Sequence, residues 1–72
     1  MSLRIRDLRE DNDHTQGEIA ALLHISQATY SRYETGALDI PHSALQTLAD
    51  FYHTSVDYLL GRTDVSAPYP KK

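Results

Sequence analysis

HTQGEIAALLHISQATYSRYETG, running from His14 to Gly36, sets two short helical patterns almost end to end. Thr15 precedes the first and Ser26 precedes the second. Both are hydroxyl residues of the kind that caps a helix N-terminus. Glu18 stands three residues after Thr15, so Thr15 and Glu18 form a capping box that satisfies two otherwise free backbone N–H groups. Ile19, Ala20 and Leu23 give the first helix an apolar stripe, and His24-Ile25 is the turn. In the second helix Tyr30 and Tyr33 share one face, and Gly36 ends it where a left-handed backbone is least strained. Two helices joined by three or four residues cross at a steep angle.

Outward from this centre the same grammar continues. Ile5 and Leu8 place a first helix over Leu3 to Asp11, and Asn12-Asp13-His14 breaks it. Ala37 to Ile40 is a loop closed by Pro41. Ser43 and Gln46 read as a second capping box, opening a fourth helix with the stripe Leu45, Leu48, Ala49 and Tyr52. Ser55 caps a fifth helix, Val56 to Leu60, stopped by Gly61. No alternating strand pattern occurs, so the expected fold is all-α: five short helices in one compact domain over residues 1–64. Residues 65–72, with two prolines and a final Lys71-Lys72, read as a disordered tail.

Length and composition narrow the possibilities. Seventy-two residues make one domain of modest stability. With no cysteine there is neither a disulfide nor a thiolate metal site. No apolar run reaches the length of a membrane span and no signal-peptide pattern opens the chain, so a cytoplasmic protein is expected. His14, His24, His42 and His53 fall on separate segments without an i, i+4 pair, so no metal is expected and they read as turn and surface residues. No nucleophile elbow or glycine-rich phosphate loop is present; neither an enzyme nor a cofactor is expected. The net charge of −3 runs against nucleic-acid binding, although binding depends on where charges sit.

The polar flank of the segment after Ser26 carries the functional signal. A major groove about 12 Å wide admits an α-helix, and such a helix needs one face for its own domain and one for base edges. Tyr30 and Tyr33, with Ile25 ahead of them, suit the inner face. Gln27, Ala28, Ser31 and Arg32 project outward, with Thr29 and Ser26 at the margin. Gln pairs with adenine, Arg with guanine, and a methyl group with thymine. The bland reading is a solvated helix face. For the tyrosines, stacking on single-stranded bases is the sharper alternative to core packing, which their spacing favours.

Thr15-Gln16, Glu18-Ile19-Ala20, Leu23, Ile25-Ser26, Tyr30-Ser31-Arg32-Tyr33-Glu34 and Gly36 together resemble the core motif of the Cro/repressor-type (XRE-like) helix-turn-helix family, whose fold is lambda repressor-like. Leu8-Arg9 resembles the end of that family's first helix, and Leu48 to Asp64 its closing helices. The resemblance spans Leu3 to Asp64. It implies that Gln27, Ala28 and Arg32 face bases, and that Gln16 bonds a phosphate and braces Gln27. It further implies that Ser26, Thr29 and Ser31 reach flanking phosphates. Arg9 and Glu34 are implied as a structural ion pair between the first and third helices. The chain departs from the family at His24, where Gly is usual in the turn, at His14, where an apolar residue is usual, and at Gly17 inside a helix. Ala37-Leu38-Asp39-Ile40 lacks the Lys or Arg that often grips phosphate there, so each half-site should bind weakly.

These observations lead to a sequence-specific binder of a double-stranded DNA operator, a small bacterial or phage transcriptional repressor. A homodimer through helix five (Tyr58, Leu59, Leu60) is expected, because one helix reads few base pairs. With no effector domain, signals would act through a regulatory protein partner, proteolysis or concentration. The competing reading is a protein-interaction module of the same fold, antitoxin-like or anti-repressor-like, which the acidic balance would suit.

Overall fold

A computed structural model describes residues 3–67. Five helices follow one another: α1 Ile5–Asp11, α2 Gln16–Leu22, α3 Gln27–Thr35, α4 His42–Phe51 and α5 Val56–Leu59. No strand occurs among the described residues, so the fold is all-α. Each helix contributes to one core, formed by Ile5, Ile19, Ala20, Tyr30, Tyr33, Leu45, Leu48, Ala49 and Leu59. The apolar stripes therefore converge where helical periodicity places them. The start of α1 is pinned to the end of α5, because Arg4 N–H donates to the Leu59 carbonyl at 2.9 Å.

Caps set most of the boundaries. Thr15 Oγ1 accepts from Glu18 N–H at 3.1 Å and Glu18 Oε1 accepts from Thr15 N–H at 3.0 Å, which completes the capping box. Ser26 Oγ accepts from Thr29 N–H and Ser55 Oγ from Tyr58 N–H, each at 3.1 Å. Four helices end alike. After α1, α2, α4 and α5 a residue turns left-handed: Asp13 at φ 59°, His24 at 58°, His53 at 55° and Gly61 at 74°. Its N–H and that of the next residue return to the last helical turn, as in Ile25 to Ala20 at 3.0 Å and Thr54 to Ala49 at 2.8 Å. These paired bonds are Schellman motifs, which satisfy carbonyls that a helix end leaves free. Three of them use a residue other than glycine, so the turn at His24 keeps its geometry at the expense of backbone strain.

Three boundary expectations need correction. α1 begins at Ile5 rather than Leu3, with Arg4 at the cap position, and α5 ends at Leu59 rather than Leu60. Ser43 does not cap α4: the helix starts at His42 with Pro41 at its N-cap and no side-chain cap bond. Pro41 has φ −63° and an extended ψ of 150°, so it stands as the N-cap and Ser43 already lies inside the first turn. The Pro41 carbonyl accepts from both Ala44 and Leu45 N–H at 3.1 Å, as the first acceptor of the helix.

One residue of helix five departs from its expected role. Leu59 has 0% exposure inside its own protomer and is a core residue, so it offers nothing to a second copy. Tyr58 lies under Arg4, whose guanidinium carbon stands 4.3 Å from the ring centroid. Arg4 is held there by Asp64 at 2.8 Å. Leu60 remains half-buried and lines a cavity of about 310 Å³ with Leu3, Leu38, Ile40 and Leu45. The expected tail of 65–72 lies, from residue 68 onward, outside the described residues.

Candidate nucleic-acid interface

α3 divides into two faces. Tyr30 is 0% exposed and Tyr33 is buried, so one flank anchors the helix in the core. Gln27, Ala28 and Arg32 are exposed on the other flank, while Thr29 and Ser31 are half-buried beside it. Ser26, at the N-cap, is exposed, and its hydroxyl donates to Thr29 Oγ1 at 2.9 Å. These two hydroxyls therefore form a linked pair at the helix start.

Electrostatics single out Arg32. Arg4 pairs with Asp64, Arg6 with Glu10, Arg9 with Glu34 and Arg62 with Asp57. Among the described residues Arg32 is the one arginine whose guanidinium has no carboxylate partner. A cation on an exposed helix flank, uncommitted within the fold, is available to an external anion or to a base edge.

Below this flank a polar cluster ties α1 to α2 and α3. Arg9 Nε donates to Glu34 Oε2 at 2.7 Å and Nη2 to Oε1 at 3.1 Å. Its Nη1 donates to the His14 carbonyl at 3.0 Å. The side chains are 12% and 3% exposed. Burial alone would raise the Glu34 carboxyl, but the donors gathered on it, Arg9 above all, hold it below the usual carboxylate range. The Arg9 guanidinium is raised chiefly by its hydrogen bond to Glu34. Tyr30 is close enough to be pushed up by burial and by Glu34, although its hydroxyl completes no hydrogen bond. Burial pushes Tyr52 up to about 12.

Gln16 joins this cluster. Its Nε2 donates to Glu34 Oε1 at 3.0 Å. The brace expected from Gln16 to Gln27 is absent, because the amide nitrogen is turned inward to the carboxylate. Gln27 lies instead over the first turn of α2: a Cβ built on Gly17 would stand 3.5 Å from Gln27 Oε1. Neither contact was legible in the sequence. Gly17 stood out there only as a poor helix former, and Glu34 only as the partner of Arg9.

His14, where an apolar residue was expected, sits at the junction of α2 and α4. Its ring centroid lies 5.3 Å from that of Phe51, and its Nδ1 is 3.5 Å from Glu18 Oε2. Hydrogen bonds from Thr15, with His14 adding, hold the Glu18 carboxyl below its ordinary value. Among the described residues no group of His, Asp and Glu has metal-binding geometry. No described helix is long and apolar enough to cross a membrane.

Comparison with known proteins agrees with this architecture. A family described as a helix-turn-helix domain matches residues 1–66. The uncharacterized HTH-type transcriptional regulator YobD of Bacillus subtilis (strain 168) is 37% identical over 65 residues, which are 90% of this chain and 58% of that protein. The HTH-type transcriptional regulator ImmR of the same organism is 36% identical over 63 residues, 88% of this chain and 50% of that protein. The HTH-type transcriptional regulator AnsR, also of that organism, is 39% identical over 59 residues, 82% and 51% respectively. The chain thus spans between half and three-fifths of the length of these relatives. No solved structure matches it significantly. With α2, the His24 turn and α3 arranged as described, the chain belongs to the helix-turn-helix domain family.

Proposed function

We propose that this protein is a non-enzymatic, cytoplasmic DNA-binding regulator that reads a double-stranded operator with α3 and acts as a transcriptional repressor. One observation carries the reading: α3 is anchored by buried Tyr30 and Tyr33 while Gln27, Ala28 and Arg32 stay exposed along its opposite flank. The three relatives, each named as an HTH-type transcriptional regulator, support it. Gln27, Ala28 and Arg32 meet base edges; Gln16, Ser26, Thr29 and Ser31 position the helix on phosphates.

Affinity requires two copies. One recognition helix covers few base pairs, and a homodimer spaces two of them about 34 Å apart along one DNA face. The surface we assign to the dimer is the rim of the cavity at Leu60 with Leu38, which is 43% exposed. Repression by promoter occlusion then depends on concentration or on a regulatory protein partner.

A second reading has its own observation. Four of the five described arginines are neutralised by carboxylates, which suits an acidic protein-interaction module of the same fold. Selection of bound duplexes from a random library, at stated salt, separates the two. DNA binding predicts an enriched motif, lost on Gln27→Ala while the fold persists. Recovery of no motif by the parent protein favours the interaction module.

A further inference from the structure

We propose that Glu34 is a positioning residue for DNA: with Arg9 holding its carboxylate, it fixes the Gln16 carboxamide so that one amide hydrogen stays inside and the other faces a phosphate. This rests on the reading of the α2–α3 surface as the DNA interface. The Gln16 bond to Glu34 Oε1 is 3.0 Å, and Glu34 is itself 3% exposed and held by two bonds from Arg9. The carboxylate cannot swing to follow a moving partner, so the partner must take its geometry from the carboxylate. A primary amide has two hydrogens. One is spent on Glu34, and Gln16 is half-buried at the first position of α2, so the second is left for the exterior.

A free glutamine side chain explores many rotamers, and binding through it normally means losing them. Here that freedom is already restricted before DNA arrives. Arg9 has a second part in this arrangement. An unbalanced carboxylate beneath a phosphate would repel it, and the bidentate guanidinium cancels that charge. The Gln16 donor carries no charge of its own, so it adds affinity without releasing counterions.

The test has two arms. In the free protein, hydrogen exchange of the side-chain amides is followed by NMR, with exposed Gln46 as internal reference. Gln16 should exchange several-fold more slowly than Gln46; equal rates overturn the proposal whatever DNA does. In the second arm operator affinity is measured for Gln16→Ala in two backgrounds. In the parent it should weaken binding about tenfold, the equivalent of one ordinary charge-assisted bond, with the salt slope unchanged. In Arg9→Met/Glu34→Met, an apolar replacement of the pair that buried sites tolerate, the same change should cost less than about threefold. A purely structural pair would leave Gln16→Ala tenfold in both backgrounds, and that result overturns the positioning role. Slow Gln16 exchange in a parent protein that binds no duplex overturns the DNA reading itself, and the phosphate role with it.

Discussion

Arg9 and Glu34, 25 residues apart in the chain, meet through two hydrogen bonds of 2.7 and 3.1 Å that leave little of either side chain exposed. Arg9 also reaches the His14 carbonyl and Glu34 also receives Gln16, so one pair locks α1, the loop after it, α2 and α3 together. Breaking the pair from one side strands a buried charge. Arg9→Ala should therefore destabilise the domain by about 3–5 kcal/mol, whereas the double replacement Arg9→Met/Glu34→Met should change stability far less. Urea unfolding at neutral pH measures both. A single variant as stable as the double would contradict the burial of the pair.

The same cluster sets a pH profile. The Glu34 carboxyl is lowered in the folded protein from its ordinary 4.5, so the unfolded chain takes up a proton first as pH falls. Its contribution is fully present above that ordinary value and is lost as pH drops below it, through the folded value. Tyr52 behaves in the opposite sense. Its pKa rises from 10.0 to about 12, so stability is retained below 10 and declines as pH climbs from 10 towards 12. Thermal melts across both ranges should show the acid loss blunted in Arg9→Met/Glu34→Met and the alkaline loss blunted in Tyr52→Phe.

Left-handed residues offer stability that the chain has not used. Asp13, His24 and His53 hold φ between 55° and 59°, and each carries a Cβ that this region disfavours. Replacement by Gly should stabilise by about 0.5–1 kcal/mol at each site, the relief of strain being partly offset by greater freedom in the unfolded chain. Shifts of the denaturation midpoint to higher urea, without a change in slope, are the expected result. A lower midpoint for His24→Gly would mean that the imidazole makes a contribution of its own.

Arg32 should leave its mark in salt titrations. It is exposed and free of any carboxylate partner among the described residues. Arg32→Ala should weaken operator binding by about 1–3 kcal/mol, as expected for loss of a base-reading arginine. If it also neutralises a phosphate, the slope of log K against log salt falls by about one per protomer. Gln27→Ala should weaken binding by a similar amount with no change in slope, since its side chain is neutral. Fluorescence anisotropy at several salt concentrations distinguishes the two. Unaltered affinity in either variant removes that residue from the reading set.

Local chemistry was enough for much of this protein. Thr15, Ser26 and Ser55 marked helix starts, Gly36 and Gly61 marked stops, and the spacing of Ile19, Ala20, Leu45, Leu48 and Ala49 foretold the core. Each of these effects acts within about one helical turn, so the sequence already contains both partners. Arg9 and Glu34 were named in advance only through family resemblance, because nothing local links residues 25 apart. Packing alone decided the rest. Leu59, expected to face a second copy, became core alongside residues of all the other helices. Ser43 lost its cap to the rigid backbone of Pro41. Gln16 turned inward to a carboxylate 18 residues away in sequence, and Gln27 came to rest over the bare backbone of Gly17. Periodicity and capping determine which segments become helices and which flank of each is apolar; the steric and electrostatic fit between segments, which no single segment contains, determines where the polar side chains on those flanks point.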